Sequence, residues 1–137
     1  MKIDITHRLV SELNSGWLDS KIFPCVAMFD TDTPPTPYLV YQRTGAEFNY
    51  TKGLYTGDAT HHYSFSIYSD NYDRSLTLAK MVIDKVLALS YFETDQEGFR
   101  YGPVQLVDIS EDFIEGLFVQ TLQFDIQTKE ILTYESN

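Results

Sequence analysis

Between Tyr63 and Leu89 the hydrophobic period of this chain changes from two residues to about 3.6, and that joint constrains its fold more than any other feature. In Tyr63-Ser64-Phe65-Ser66-Ile67 the apolar side chains fall at every second position, the pattern of a strand with one wet face. After Ser69-Asp70-Asn71 the pattern turns helical. Leu76, Ala79, Ile83, Val86 and Leu87 form a stripe, with Lys80, Asp84 and Lys85 on the other side. Asp70 or Asn71 caps this helix, and Asp73 in its first turn complements the helix dipole. The helix is expected to end near Ser90.

The remaining segments fit around that joint. Ile5, Leu9, Val10 and Leu13 predict a short helix from Ile3, stopped by Asn14-Ser15-Gly16, with Trp17 and Leu18 packing back on the core. Ile22 to Phe29 reads as extended and apolar. Asp30 to Pro37 reads as a stiff loop, because Pro34, Pro35 and Pro37 lack ladder donors. Tyr38-Leu39-Val40-Tyr41-Gln42-Arg43 is apolar on both faces at first and predicts a central strand. Gly45 to Thr60, with Lys52-Gly53 and Gly57-Asp58 as turn signals, reads as a long hairpin or a mobile loop between two strands.

Beyond the long helix, Tyr91 to Gly98 is an acidic turn. Val104 to Ile109 is a strand with apolar residues on both registers, which implies a bulge or burial of both faces. Ser110 to Gly116 is expected to be a connection. Phe118 to Ile126 alternates, with Phe118, Leu122, Phe124 and Ile126 inward and Thr121, Gln123 and Asp125 outward. The expected fold is therefore α+β: a mostly antiparallel sheet of about four to five strands, packed by a long helix, plus an amino-terminal helix. Residues 1–128 make a single domain and 129–137 a polar tail.

Charge excludes some partners. The 137 residues carry 20 acidic side chains against 10 basic ones, a net charge of −10. Nucleic-acid binding depends on neutralising phosphates with Lys and Arg, so it is disfavoured, as is adhesion to anionic membranes. No run approaches the roughly 20 apolar residues of a membrane span, and the amino terminus has no signal-peptide core, so a soluble chain of cytosolic origin is expected. Cys25 is the single cysteine and rules out an internal disulfide. Among Phe23, Pro24, Val26 and Met28 it reads as a small hydrophobe.

A search for chemistry finds little. His61 and His62 are neighbours that point to opposite faces of a strand, and His7 lies in another element, so they read as polar residues opening a strand and not as metal ligands. Most of Asp30, Asp32, Asp108, Glu111, Asp112 and Glu115 lie in expected turns, so loop solvation is the default reading; sequence cannot place a pair of them across a cleft. Asp30-x-Asp32 resembles the start of a calcium loop, but Thr-Pro-Pro follows where further ligands are needed. Gly53 and Gly57 lack a phosphate-loop ending, and Ser64 and Ser66 sit on a strand and not on a nucleophile elbow. No catalytic, cofactor-binding or metal-binding residue is identified, no cofactor is expected, and the chain reads as a non-enzyme.

The order of features carries a resemblance. Pro37-Tyr38-Leu39-Val40-Tyr41-Gln42-Arg43 is followed by a variable hairpin. Tyr63-Ser-Phe-Ser-Ile-Tyr-Ser-Asp-Asn-Tyr72 then leads into the helix with Leu76, Ala79 and Val86, and the last strand is Gly116-Leu-Phe-Val-Gln-Thr-Leu-Gln-Phe-Asp-Ile126. From Leu9 to Thr128 the chain resembles the tail completion (tail terminator, head-to-tail joining) proteins of long-tailed bacteriophages and prophages. The hairpin at Gly45 to Thr60 departs from that pattern in being rich in acidic and aromatic residues. The resemblance implies a structural virion protein, assembled in the host cytoplasm and located at the head–tail junction. It implies a homo-hexameric ring that caps the tail tube, meets the tail tube protein and the head–tail connector, and passes DNA without binding it. Phe48, Tyr50, Leu54 and Tyr55 are the expected partner-binding residues. Rival readings are another ring-forming tail or connector component, a small-ligand-binding α+β module of a bacterial host, and a hydrolase with an unrecognised carboxylate pair.

Overall fold

A computed structural model describes residues 5–13, 22–24, 36–91 and 99–130. Its elements, in chain order, are α1 (Thr6–Leu13), β1 (Ile22–Pro24), β2 (Tyr38–Thr51), β3 (Leu54–Ser69), α2 (Tyr72–Leu87), a 3-10 turn (Ala88–Tyr91), β4 (Phe99–Ile114) and β5 (Leu117–Glu130). One five-stranded sheet has the order β1-β2-β3-β5-β4. β1 runs parallel to β2, and every other pairing is antiparallel. The expected α+β class, with a mostly antiparallel sheet, one long helix and an amino-terminal helix, is borne out, and β2 is indeed interior to the sheet.

Both helices cover the same face. α2 lies over β3 and β5, and α1 packs beside α2. The alternation predicted for the two central strands holds. Tyr63, Phe65 and Ile67 of β3 and Leu122, Phe124 and Ile126 of β5 point under the helices and are buried. Val82 and Val86 of α2 and Ile5, Leu9 and Leu13 of the amino-terminal segment close the core over them. Each fully buried side chain of this size contributes ~1.5–3 kcal/mol. Phe65 meets Phe124 edge-on at 5.7 Å, and the Thr6 hydroxyl shares a 2.9 Å hydrogen bond with the Tyr63 hydroxyl, tying α1 to the sheet.

α2 starts where its capping chemistry dictates. Asn71 has extended backbone angles, and its Oδ1 accepts a hydrogen bond from the Arg74 N–H at 3.0 Å. The buried stripe is Ser75, Leu78, Ala79, Val82 and Val86. This corrects the phase expected from sequence: Ala79 and Val86 are inside, Ile83 and Leu87 are half-buried, and Leu76 is exposed. Ser75 can take the inward position because its hydroxyl donates to the Tyr72 carbonyl at 2.6 Å.

Strand lengths are the main correction. Of the two readings of Gly45 to Thr60, the long hairpin is the correct one and the mobile loop is not: β2 continues through Thr51, β3 begins at Leu54, and the turn is Lys52-Gly53 alone. His61 and His62 therefore lie in the middle of β3 and do not open it. Ser110 to Gly116 is likewise mostly strand. β4 runs to Ile114 in register with β5 down to Ile114↔Leu117, leaving Glu115-Gly116 as the turn. Of the carboxylates expected in the connection, Glu111 and Asp112 stand on β4 and Glu115 is in the turn; Asp108 is on β4 as expected. β4 begins at Phe99 and carries irregularities between Tyr101 and Val104 and between Leu106 and Asp108, so the bulge alternative is the correct one. β5 runs on to Glu130, two residues into the segment expected to be tail. The readings of Trp17, Leu18, Cys25, Asp30, Asp32, the acidic turn after Tyr91 and the tail beyond Glu130 fall outside the described residues.

Candidate functional site

Two tight hairpins project from opposite ends of the sheet. The β2–β3 turn is made by Lys52 (φ 52°) and Gly53 (φ 79°), and the β4–β5 turn by Glu115 (φ 51°) and Gly116 (φ 80°). Two consecutive positive φ values match the right-handed twist of the strands, which is why such short loops close these ladders. Because β3 and β5 are antiparallel, from Asp58↔Lys129 to Ser69↔Phe118, the two turns lie at opposite ends of the molecule.

At the β2–β3 end the four expected partner-binding residues divide into two pairs. Tyr50 and Leu54 are 58% and 68% exposed. Phe48 and Tyr55 are half-buried. Phe48 stacks edge-on against Tyr55 at 5.8 Å and against His61 at 6.0 Å, and Tyr50 leans on Tyr55 at 5.9 Å. Burial pushes the Tyr55 hydroxyl pKa up to about 12, with Glu130 and Asp58 adding to it. Phe48 and Tyr55 thus form the base on which Tyr50 rests, and Leu54 is exposed beside the turn.

The β4–β5 end has a second and larger apolar surface, which the sequence reading missed. Of the eight large apolar side chains exposed among the described residues, six lie here, on the start of α2 and on β4. Phe113 packs on Phe118 at 4.9 Å, and Tyr72 meets the same ring edge-on at 5.5 Å. Under these rings is a polar network. The Glu111 carboxylate accepts from the Tyr72 hydroxyl at 2.7 Å and from Gln120 Nε2 at 3.1 Å, and Gln120 Nε2 also reaches Ser75 Oγ at 3.3 Å. The bond to Glu111 raises the Tyr72 hydroxyl pKa. Ile109 and Phe113 were available in sequence, but Glu111 between them and the acids on either side masked the strand.

The sheet face away from the helices is polar and half-buried. Ser66 and Thr121 share a hydrogen bond at 3.1 Å. His62 on β3 sits between Asp125 on β5, at 2.5 Å from Nδ1, and Glu47 on β2, at 3.3 Å from Nε2. The hydrogen bond to Asp125 is the largest cause of a raised His62 pKa; burial opposes it, and Glu47 adds to it. Both ring nitrogens are occupied by carboxylates on opposite sides, so the group has no free base and its donors do not converge. Among the described residues no three His, Cys, Asp or Glu side chains are grouped to hold a metal ion. His61 points to the other face, is buried, and bonds Thr128 Oγ1 at 3.1 Å. An open groove of about 280 Å³ follows the β2 irregularity, lined by Arg43, Thr44, Gly45, Ala46 and Phe48. No helix among the described residues is long and apolar enough to cross a membrane.

Exposed apolar side chains thus lie toward both ends of the described sheet. No protein-family model matches the chain, and no curated protein does. Among solved structures the fold recurs in a chain of the structure described as "Virion of native gene transfer agent (GTA) particle". The TM-score is 0.61 at 11% identity, over 88% of this chain and 84% of that one, so the two share a fold.

Proposed function

We propose that this protein is a structural virion component that caps a finished phage-type tail tube as a ring and joins it to the head connector. The observation that carries the reading is the fold shared, over most of both chains, with a chain of a gene transfer agent virion. The sequence resemblance to tail completion proteins points the same way. A joint between two assemblies needs two separate contact surfaces, and the molecule presents exposed apolar side chains at both ends of its sheet. In this reading Tyr50, which rests on Tyr55, and Leu54 contact the tail tube protein.

The ring is a homo-hexamer that buries sheet edges or helix faces between copies. Its charge suits a conduit for DNA: six copies at −10 each give −60, and an acidic lumen repels phosphate. The test is mass in solution by light scattering, with electron microscopy, for the protein alone and with purified tail tubes. Hexamers, or rings appearing at tube ends, support the reading. Rings found only on head connectors would make it a connector component, and a stable monomer that ignores tubes and connectors would refute it. Tyr50→Ser with Leu54→Ser, both on the surface, is expected to leave a folded protein that no longer occupies tube ends.

A further inference from the structure

The surface at the β4–β5 end combines three properties that do not occur together elsewhere on the described molecule. First, β4 is an edge strand, and among the described residues no strand pairs with its outer side. Second, its two faces differ sharply. The register places Ile109, Glu111 and Phe113 on the helix side, beside Tyr72, and Asp108, Ser110 and Asp112 on the other. Third, the surroundings are strongly acidic: residues 70–76 and 105–118 contain six acids and one base, Arg74. Acids on an edge strand ordinarily discourage pairing. Here Asp108 and Asp112 occupy one face, where Asp112 Oδ1 accepts the Phe113 N–H at 2.8 Å, while on the opposite face Glu111 is engaged by Tyr72 and Gln120 and Phe113 stays 60% exposed.

We propose that the free edge of β4 accepts an added strand from a partner protein whose side chains alternate apolar with Lys or Arg. In β-strand addition the main-chain hydrogen bonds supply affinity and the alternate side chains supply specificity. The apolar side chains of the added strand lie against Ile109, Phe113 and Tyr72, and its basic side chains face Asp108 and Asp112. The site is preorganised, because Glu111 is fixed by Tyr72 and by the buried Gln120. A second copy of this chain is a poor occupant. Its β2 segment beyond the pairing with β1, Arg43-Thr44-Gly45-Ala46-Glu47-Phe48, lacks that alternation. The inference stands apart from the tube-capping reading and survives its failure.

The test uses the full chain and a fluorescent ten-residue peptide of alternating valine and lysine, followed by fluorescence anisotropy. A valine–glutamate peptide and a scrambled valine–lysine peptide are the controls. The expected result is saturable binding of the alternating valine–lysine peptide only, weakened at least tenfold by raising salt from 50 to 500 mM. Phe113→Ser, exposed in the free protein, is expected to weaken binding at least tenfold. Asp108→Lys with Asp112→Lys is expected to transfer preference to the valine–glutamate peptide, a reversal that misfolding does not produce. Equal binding of both charges or of the scrambled peptide, no binding at millimolar peptide, or an unchanged preference in the double variant would each overturn the proposal. So would concentration-dependent self-association abolished by Phe113→Ser, which would make a second copy the occupant.

Discussion

Replacing His62 by glutamine gives a sharp test of the open sheet face, because glutamine keeps hydrogen-bonding capacity and removes only the charge. Protonated His62 links three strands through Glu47 and Asp125. The Glu47 side chain is 75% exposed, so that contact is worth a few tenths of a kcal/mol after solvent screening. The Asp125 bond is charge-assisted but about one third exposed, which brings it to about 1 kcal/mol. Neutral His62, or a glutamine in its place, retains roughly half of that as an ordinary hydrogen bond. The charge-dependent part is therefore about 0.7 kcal/mol, or roughly 3 °C in Tm for a domain of this size.

The sign follows from the direction of the pKa shift. His62 is raised above its unfolded value near 6.5, so the folded state holds the proton more tightly. The stabilisation is complete below about pH 6.5 and is lost as pH climbs through the raised folded value. Urea unfolding of the native protein and His62→Gln at pH 5.5, 7 and 9 measures it. All other titrating groups are common to both proteins, so the difference should shrink by about 0.7 kcal/mol across the series. A difference that is constant, or that grows with pH, would show that the His62 charge does not stabilise the sheet.

Two further substitutions probe the elements that place the contact surfaces. Asn71→Ala removes the acceptor for the Arg74 N–H and should cost about 1 kcal/mol by urea unfolding, with Asn71→Asp close to neutral. Leu122→Ala on the fully buried face of β5 should cost about 2–5 kcal/mol, whereas Gln123→Ala, its exposed neighbour, should stay within about 0.5 kcal/mol.

The parts of the fold legible in sequence were those where one signal dominated. Tyr63 to Ile67 alternates without interruption, and Asn71 is a local cap, so the strand-to-helix joint was readable from neighbours alone. The phase of α2 was not, because Leu76 is apolar yet exposed while Ser75 is polar yet buried. Ser75 is tolerated inside through its bond to the Tyr72 carbonyl and its contact with Gln120, a residue 45 positions away. The extent of β4 was hidden for a similar reason. Asp108, Glu111 and Asp112 have low strand propensity, and the pairing with β5 outweighs it. At the candidate surfaces, sequence named Tyr50 and Leu54, which are exposed, together with Phe48 and Tyr55, which are half-buried. It could not separate the two pairs, because the partial burial of Phe48 and Tyr55 depends on contacts with His61 and Glu130 across the sheet.

The opposed turns have a mechanical consequence. β3 starts at one hairpin and β5 at the other, so tension applied between the two tips pulls adjacent antiparallel strands from their opposite amino ends. That load acts along the strands. It strains the whole ladder from Asp58↔Lys129 to Ser69↔Phe118 at once and does not peel the pairs one by one. The 16 residues of β3 span roughly 50 Å at the usual rise per residue. A force passed from tip to tip over that distance meets the sheet in its stiffest direction, with α2 and its hydrophobic stripe bridging the two loaded strands like a splint.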